Sequence, residues 1–143
     1  MVVVEVNGYT IEPGANLSGA NLHRTVLEGA NLASANLAQA NLSETGLKMT
    51  NLREANLTGA NVQRTNLFRA NLEGANLYRA NLQMANLEGT NLEEANLTGA
   101  NLRFANLIGA DLSGANLEWA KANEDSTWPD GFDPVAAGVI FED

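Results

Sequence analysis

The sequence predicts an all-β stacked-repeat solenoid, and three features of one five-residue phrase predict it. Leucine, replaced once by Val62, recurs at every fifth position from Leu17 to Leu117, twenty-one times without a slip of phase. The residue two before it is Ala sixteen times and Thr five times (Thr25, Thr45, Thr50, Thr65 and Thr90). The residue between them is Asn eighteen times, the exceptions being Val26, Gly46 and Asp111. A period of five fits neither a helix at about 3.6 residues per turn nor a plain strand alternating at about two. It fits a short extended piece followed by a tight turn.

Within the phrase, Ala or Thr and Leu lie two apart and point the same way, inward. Asn and the two variable residues then face solvent or the backbone. The core is a Leu ladder, with Leu17, Leu37, Leu57, Leu77 and Leu97 in one rank, beside an Ala/Thr ladder. The second variable position is Gly eight times, which marks a type II turn whose third residue needs positive φ. Asn columns are expected to add side-chain ladders along the stack. Irregularities recur at a spacing of twenty: Thr25, Thr45 and Thr65 fall in line, and so do Val26 and Gly46. One turn column (Arg24, Glu44, Arg64, Met84, Phe104) holds no Gly at all.

These residues resemble the pentapeptide-repeat family, whose motif is A(D/N)LXX, and the resemblance covers residues 15–121. It implies a right-handed quadrilateral parallel β-helix with four pentapeptides per coil. Twenty-one repeats then make about five coils, a rod about 25 Å long at about 4.8 Å per coil. The chain divides into a hairpin-like N-terminal cap (1–14), the β-helix (15–121) and an acidic C-terminal cap segment (122–143). The first part reads as two strands, Val2 to Val6 and Tyr9 to Ile11, around an Asn7-Gly8 turn. In the last, Trp128-Pro129-Asp130-Gly131-Phe132-Asp133-Pro134 reads as turns, with Trp128 and Phe132 plugging the open core. This tail resembles the ending of many cyanobacterial members of the family.

Composition narrows the function classes. The absence of Cys removes disulfides, thiolate chemistry and Cys-based metal sites. Met1-Val2-Val3-Val4 is too short an apolar run for a signal h-region or a membrane span, so a cytoplasmic protein is expected. A mature lumenal or exported form would look the same. The formal net charge is −9, yet 15–121 carries only about −1 and the last twenty-two residues about −6. The acidity sits in the ends, and the long repeat surface is nearly neutral.

Catalysis needs convergent groups in a pocket, and none is expected here. His23 lies at an exposed turn position, and inward Thr hydroxyls are expected to bond neighbouring backbone. Glu93 and Glu94 are adjacent in a turn and solvated. Asp125, Asp130 and Asp133 around Gly131 miss the spacing of a calcium loop, because Ser126 would stand first and Ala137 twelfth. Asn-Leu-Ser/Thr sequons such as that of Asn16 are by-products of the repeat. No phosphate loop or dinucleotide fingerprint is present, so no metal, no cofactor and no enzyme is expected.

Individual information is confined to the outward columns. With the faces numbered in chain order, the second holds His23, Arg24, Glu44, Arg64, Met84, Arg103 and Phe104, about +2 in charge. The fourth holds Arg53, Glu54, Glu73, Glu93, Glu94 and Asp111, about −4. Arg24, Arg64, Met84, Arg103 and Phe104 form a candidate interaction face, since Arg and aromatics anchor interfaces. Phe68, Tyr78, Ile108 and Trp119 also point outward without need from the fold. The expected function is a non-catalytic rod that scaffolds or regulates another protein, with no direct nucleic-acid or membrane binding, as a monomer or an end-associated dimer. The resemblance carries one alternative, because some family members mimic duplex DNA and bind gyrase, inhibiting it or protecting it from quinolones. The near-neutral repeat surface and the short rod stand against it.

Overall fold

Each pentapeptide in the computed structural model forms one parallel bridge to the pentapeptide twenty residues on, in an unbroken series from Asn16↔Asn36 to Asn101↔Lys121. The structure describes residues 4–143; Met1, Val2 and Val3, where the sequence places the start of the first strand, lie outside the described residues. Four pentapeptides therefore make one circuit, and each side of the circuit stacks on the same side of the next. The register is the one that the Thr25, Thr45 and Thr65 column anticipates, and Val26 does bridge to Gly46.

Two inward ranks fill the interior. Leu17, Leu37, Leu57, Leu77 and Leu97 are each 2 % exposed or less, and the Ala rank beside them is buried to the same degree through the middle of the stack. Thr45, Thr50, Thr65 and Thr90 take the Ala place with at most 1 % exposure. A buried hydroxyl needs a partner. Each finds one on the preceding coil: Thr45 Oγ1 donates to the Leu22 carbonyl at 2.7 Å and Thr65 Oγ1 to the Leu42 carbonyl at 2.6 Å.

Main-chain donors are closed by one scheme, seen in residues 75–79. Ala75 N–H donates to the Leu72 carbonyl at 3.0 Å across the corner turn, and Asn76 N–H to Ala55 of the preceding coil at 2.9 Å. Leu77 and Arg79 donate to Asn96 and Thr98 of the following coil at 2.7 and 3.0 Å. That leaves the N–H of Tyr78, at the first variable position, which stacking does not reach. It donates to Oδ1 of Asn76, two residues back, at 3.0 Å. Every Asn of the second position, and Asp111 with them, accepts this bond at 2.9–3.3 Å. Such Asx turns are the local habit of Asn and Asp. The expectation of Asn ladders between coils is therefore corrected: the side-chain oxygen turns back on its own chain instead of reaching along the stack.

Each corner needs a left-handed residue, whatever side chain it carries. The second variable position has φ between 54° and 72° in every repeat, in Arg64 (54°) and Phe104 (61°) as in Gly109 (72°). With the bond from the residue after it back to Leu, this is a type II turn. Non-glycine residues there carry about 1–2 kcal/mol of strain each, held by the coils on either side.

Both ends of the second face are covered. Strands β1 (Val4–Val6) and β2 (Tyr9–Ile11) pair antiparallel, Val4 opposite Ile11 and Val6 opposite Tyr9. Asn7 and Gly8 turn between them with φ of 52° and 80°, as a type I′ hairpin requires. The Tyr9 hydroxyl oxygen accepts the Asn21 N–H at 3.4 Å, and Asn7 Nδ2 donates to the Asn21 carbonyl at 3.3 Å. These side chains stand in for a preceding coil. At the far end β3 (Lys121–Ala122) pairs parallel with β4 (Ile140–Phe141). Turns alone do not describe the tail, because it comes back as a strand. Trp128 and Phe132 stack on each other, with ring centroids 5.5 Å apart, and both lie half-buried against the core.

The scheme separates two kinds of loss. Asn76→Ala, at an exposed position, is expected to destabilise by about 1 kcal/mol through its lost acceptor. Leu67→Ala is expected to cost about 2–5 kcal/mol through its cavity, and Leu67→Asp to abolish cooperative thermal unfolding followed by circular dichroism. An unmoved midpoint in Asn76→Ala would contradict the assigned bond.

Candidate interaction surface

The left-handed corners set where side chains are shown. On the second face, Arg24, Glu44, Arg64, Met84 and Phe104 occupy one corner column, with His23, Ser43, Gln63, Gln83 and Arg103 in the column beside it. Met84 and Phe104 are 41 % and 40 % exposed, in consecutive coils next to an exposed Arg64. The other two arginines are engaged. Arg24 Nε contacts Glu44 Oε2 at 2.9 Å, and Arg103 Nη2 donates to Glu142 Oε2, an oxygen that also lies 3.9 Å from Lys121 Nζ. Only Arg64 of the three has no ion pair among the described residues. The column is thus an apolar pair beside one open cation, and less basic than its sequence implies. The Glu44 partner was visible in the sequence once the spacing of twenty is applied. Glu142 was not, because the tail that carries it lacks the five-residue phrase.

The remaining sequence candidates are structural. His23 Nδ1 lies 3.0 Å from the Ser43 carbonyl and 2.7 Å from Ser43 Oγ, a surface clasp between coils. The inward hydroxyls of Thr25, Thr45, Thr50, Thr65 and Thr90 donate to Leu carbonyls. Among the described residues, no group of three or more His, Cys, Asp and Glu is placed to hold a metal ion. A surface groove of about 430 Å³ is lined by Tyr78, Arg79, Thr98, Gly99, Trp119 and Lys121 and contains no carboxylate, His or Ser.

Other outward residues form pairs that the sequence does not reveal. On the third face, Lys48 Nζ and Arg69 Cζ stand 5.7 and 5.2 Å from the Phe68 ring centre, and on the first, Arg79 Cζ stands 5.3 Å from that of Tyr78. Such cation–π contacts are worth about 0.5–1 kcal/mol at exposed sites. Val26 and Met49 are 74 % and 59 % exposed. The fourth face keeps its acidity, with Arg53 between Glu54 and Glu73 at 3.6 Å from each, and Glu93 and Glu94 beyond.

Two carboxylates titrate below their usual range. Glu44 is lowered chiefly by the hydrogen bond from Arg24 and Asp111 by the bonds from the hydroxyl and N–H of Ser113. A depressed pKa contributes stability that is present above the unfolded value and lost as pH falls through the folded one.

The family described as "Pentapeptide repeats (8 copies)" matches residues 14–48, 47–83 and 85–121. The chain belongs to the pentapeptide-repeat family. Among solved structures it is similar to the pentapeptide repeat protein Rfr23 of the cyanobacterium Cyanothece 51142, at 34 % identity over 80 % of this chain and 88 % of that one, with a TM-score of 0.63. HetL of Nostoc sp. strain PCC 7120, a pentapeptide repeat protein involved in heterocyst differentiation regulation, is 35 % identical over 83 % and 64 % of the two chains, with a TM-score of 0.40. Trypsin-treated R167E QnrB1, a plasmid-mediated fluoroquinolone resistance protein, is 22 % identical over 90 % and 77 % of the two chains, with a TM-score of 0.62, a likeness of fold alone. No curated protein matches the chain. In this pentapeptide-repeat chain, the outward columns carry what the family motif leaves free.

Carboxyl-carbon titration by NMR is expected to place Glu44 below the ordinary glutamate range, and Arg24→Gln to return it toward that range. A Glu44 titration indifferent to Arg24→Gln would remove the ion pair from this account.

Proposed function

We propose that this chain is a non-catalytic rod that docks another protein on side chains displayed at its corners. The observation that carries the reading is the run Arg64, Met84, Phe104 in consecutive coils. All three hold left-handed backbone, at φ of 54°, 62° and 61°, where Gly would be unstrained. The fold needs no large side chain there, and an Arg beside Met and an aromatic suits an interface anchor. We further read the rod as right-handed, the hand taken by nearly all parallel crossovers, with about five coils. The partner is a protein rather than nucleic acid, given a net charge of −9. We place the chain in the cytoplasm, as a monomer or an end-associated dimer.

The test is affinity capture from a cyanobacterial extract with the tagged protein, followed by mass spectrometry. Arg64→Glu with Phe104→Ser is expected to lower recovery of the captured partner by about tenfold or more, with the thermal midpoint kept within a few degrees. Undiminished capture would clear that column of the role. For the gyrase alternative, no inhibition of DNA supercoiling is expected. Inhibition that weakens in Glu73→Lys, Glu93→Lys and Glu94→Lys would replace the present reading.

A further inference from the structure

The Asn-mediated closure of the backbone fails at two places, and they adjoin. On the third face the second position is Val26 in one coil and Gly46 in the next, bridged to each other. Among the described residues, the N–H groups of Glu28 and Lys48 consequently have no protein acceptor, whereas their counterparts in the other repeats donate to Asn or Asp. The two donors sit one coil apart, about 4.8 Å. Val26 beside them is 74 % exposed, and a Cβ added at Gly46 would meet nothing nearer than 3.9 Å. The approach to both donors is open.

The surroundings indicate what accepts those bonds. Of the eight Lys and Arg residues, Arg24, Arg53, Arg103 and Lys121 take part in ion pairs. Among the described residues the other four have none, and three of them rim the third face: Arg64 at one corner, Lys48 and Arg69 at the other. Apolar groups share the same borders, with exposed Met49 and half-buried Phe68 on the Lys48 side and exposed Met84 and Phe104 on the Arg64 side. A main-chain donor pair, three open cations and apolar neighbours complement an extended segment with carboxylates and aliphatic side chains.

We infer that the third face binds an acidic, extended segment of a partner protein. This rests on the reading of the chain as a protein-binding rod and names the chemistry of its partner. Oxygen atoms of the segment accept the Glu28 and Lys48 N–H bonds, its carboxylates face Lys48, Arg64 and Arg69, and its aliphatic side chains cover Val26 and Met49. Glu28 and the exposed Glu88 of the same column oppose it. Glu28 Oε1 lies 3.9 Å from where a Cβ at Gly46 would stand, on the ground the segment's own acid takes.

A fluorescein-labelled peptide of alternating Glu and Val, compared with its Gln-Val counterpart, supplies the probe. By fluorescence anisotropy the Glu peptide is expected to bind the full chain at least about tenfold more tightly than the Gln peptide, with the preference lost at high salt. Amide chemical shifts should move first at Glu28 and Lys48. The decisive variant is Val26→Asn with Gly46→Asn, which restores both internal acceptors at sites with room for them. It is expected to keep or raise the thermal midpoint while weakening the Glu peptide by about tenfold, whereas Glu28→Gln strengthens it. No binding of the Glu peptide, equal binding of the two peptides, or shifts confined to another face would each overturn the inference. Partner capture separates it from the broader reading. Capture lost in Arg64→Glu but kept in the Asn double variant overturns only this inference, and capture untouched by either variant overturns both.

Discussion

The second residue of each pentapeptide closes the one main-chain donor that stacking leaves over, and the rest of the rod depends on that closure. Five residues make one side of the circuit. Three of their N–H groups reach adjacent coils and one closes the corner turn. The remaining N–H points out of the side wall, where no neighbouring coil can meet it. Unmet, it would weaken every side of every coil, because a main-chain donor without an acceptor is costly wherever water is partly excluded. Asn is short enough to reach back two residues with its Oδ1 and still leave the strand extended. Asp111 does the same work with a carboxylate, and Ser113 lowers its pKa in return.

Once the backbone is closed from within, the two corner positions are free of structural duty. The first variable residue contributes its N–H to Asn and its carbonyl to the coil before, and the second supplies a left-handed turn and an N–H to the coil after. Neither requires a particular side chain. Side chains at these places therefore vary without disturbing the core, and some, such as Arg24 with Glu44 and His23 with Ser43, link one coil to the next. Met84, Phe104 and Trp119 stand there on left-handed backbone at 41 %, 40 % and 66 % exposure, and Phe68, at the first variable position, is half-buried.

The periodicity made much of this legible. A strict five-residue phrase with Thr25, Thr45 and Thr65 in line fixes the register, and eight Gly at one position announce the left-handed corner. The role of Asn is not legible in the sequence, because composition shows which residues repeat but not which way an amide turns. The direction follows from counting donors around a closed circuit, which needs coordinates. The candidate face was legible as a list of residues, but its electrostatics were not. Arg103 is met by Glu142 only because Ile140–Phe141 returns beside Lys121–Ala122, and no repeat in the tail signals that return. Likewise Val26 and Gly46 show in the sequence only as irregularities in register, and the acceptors they lack emerge from the donors of the closed circuit.

Native-state amide hydrogen exchange tests the central claim most directly. If Asn and Asp side chains close the fourth donor of each unit, the amides of Ala33, Arg53, Phe68, Tyr78 and Glu93 are protected. Those of Glu28 and Lys48 then exchange markedly faster than these counterparts and become protected in the Val26→Asn, Gly46→Asn variant. Equal protection of Glu28 and Lys48 in the native chain would show that something other than the second residue closes the wall, and the account would fail at its base.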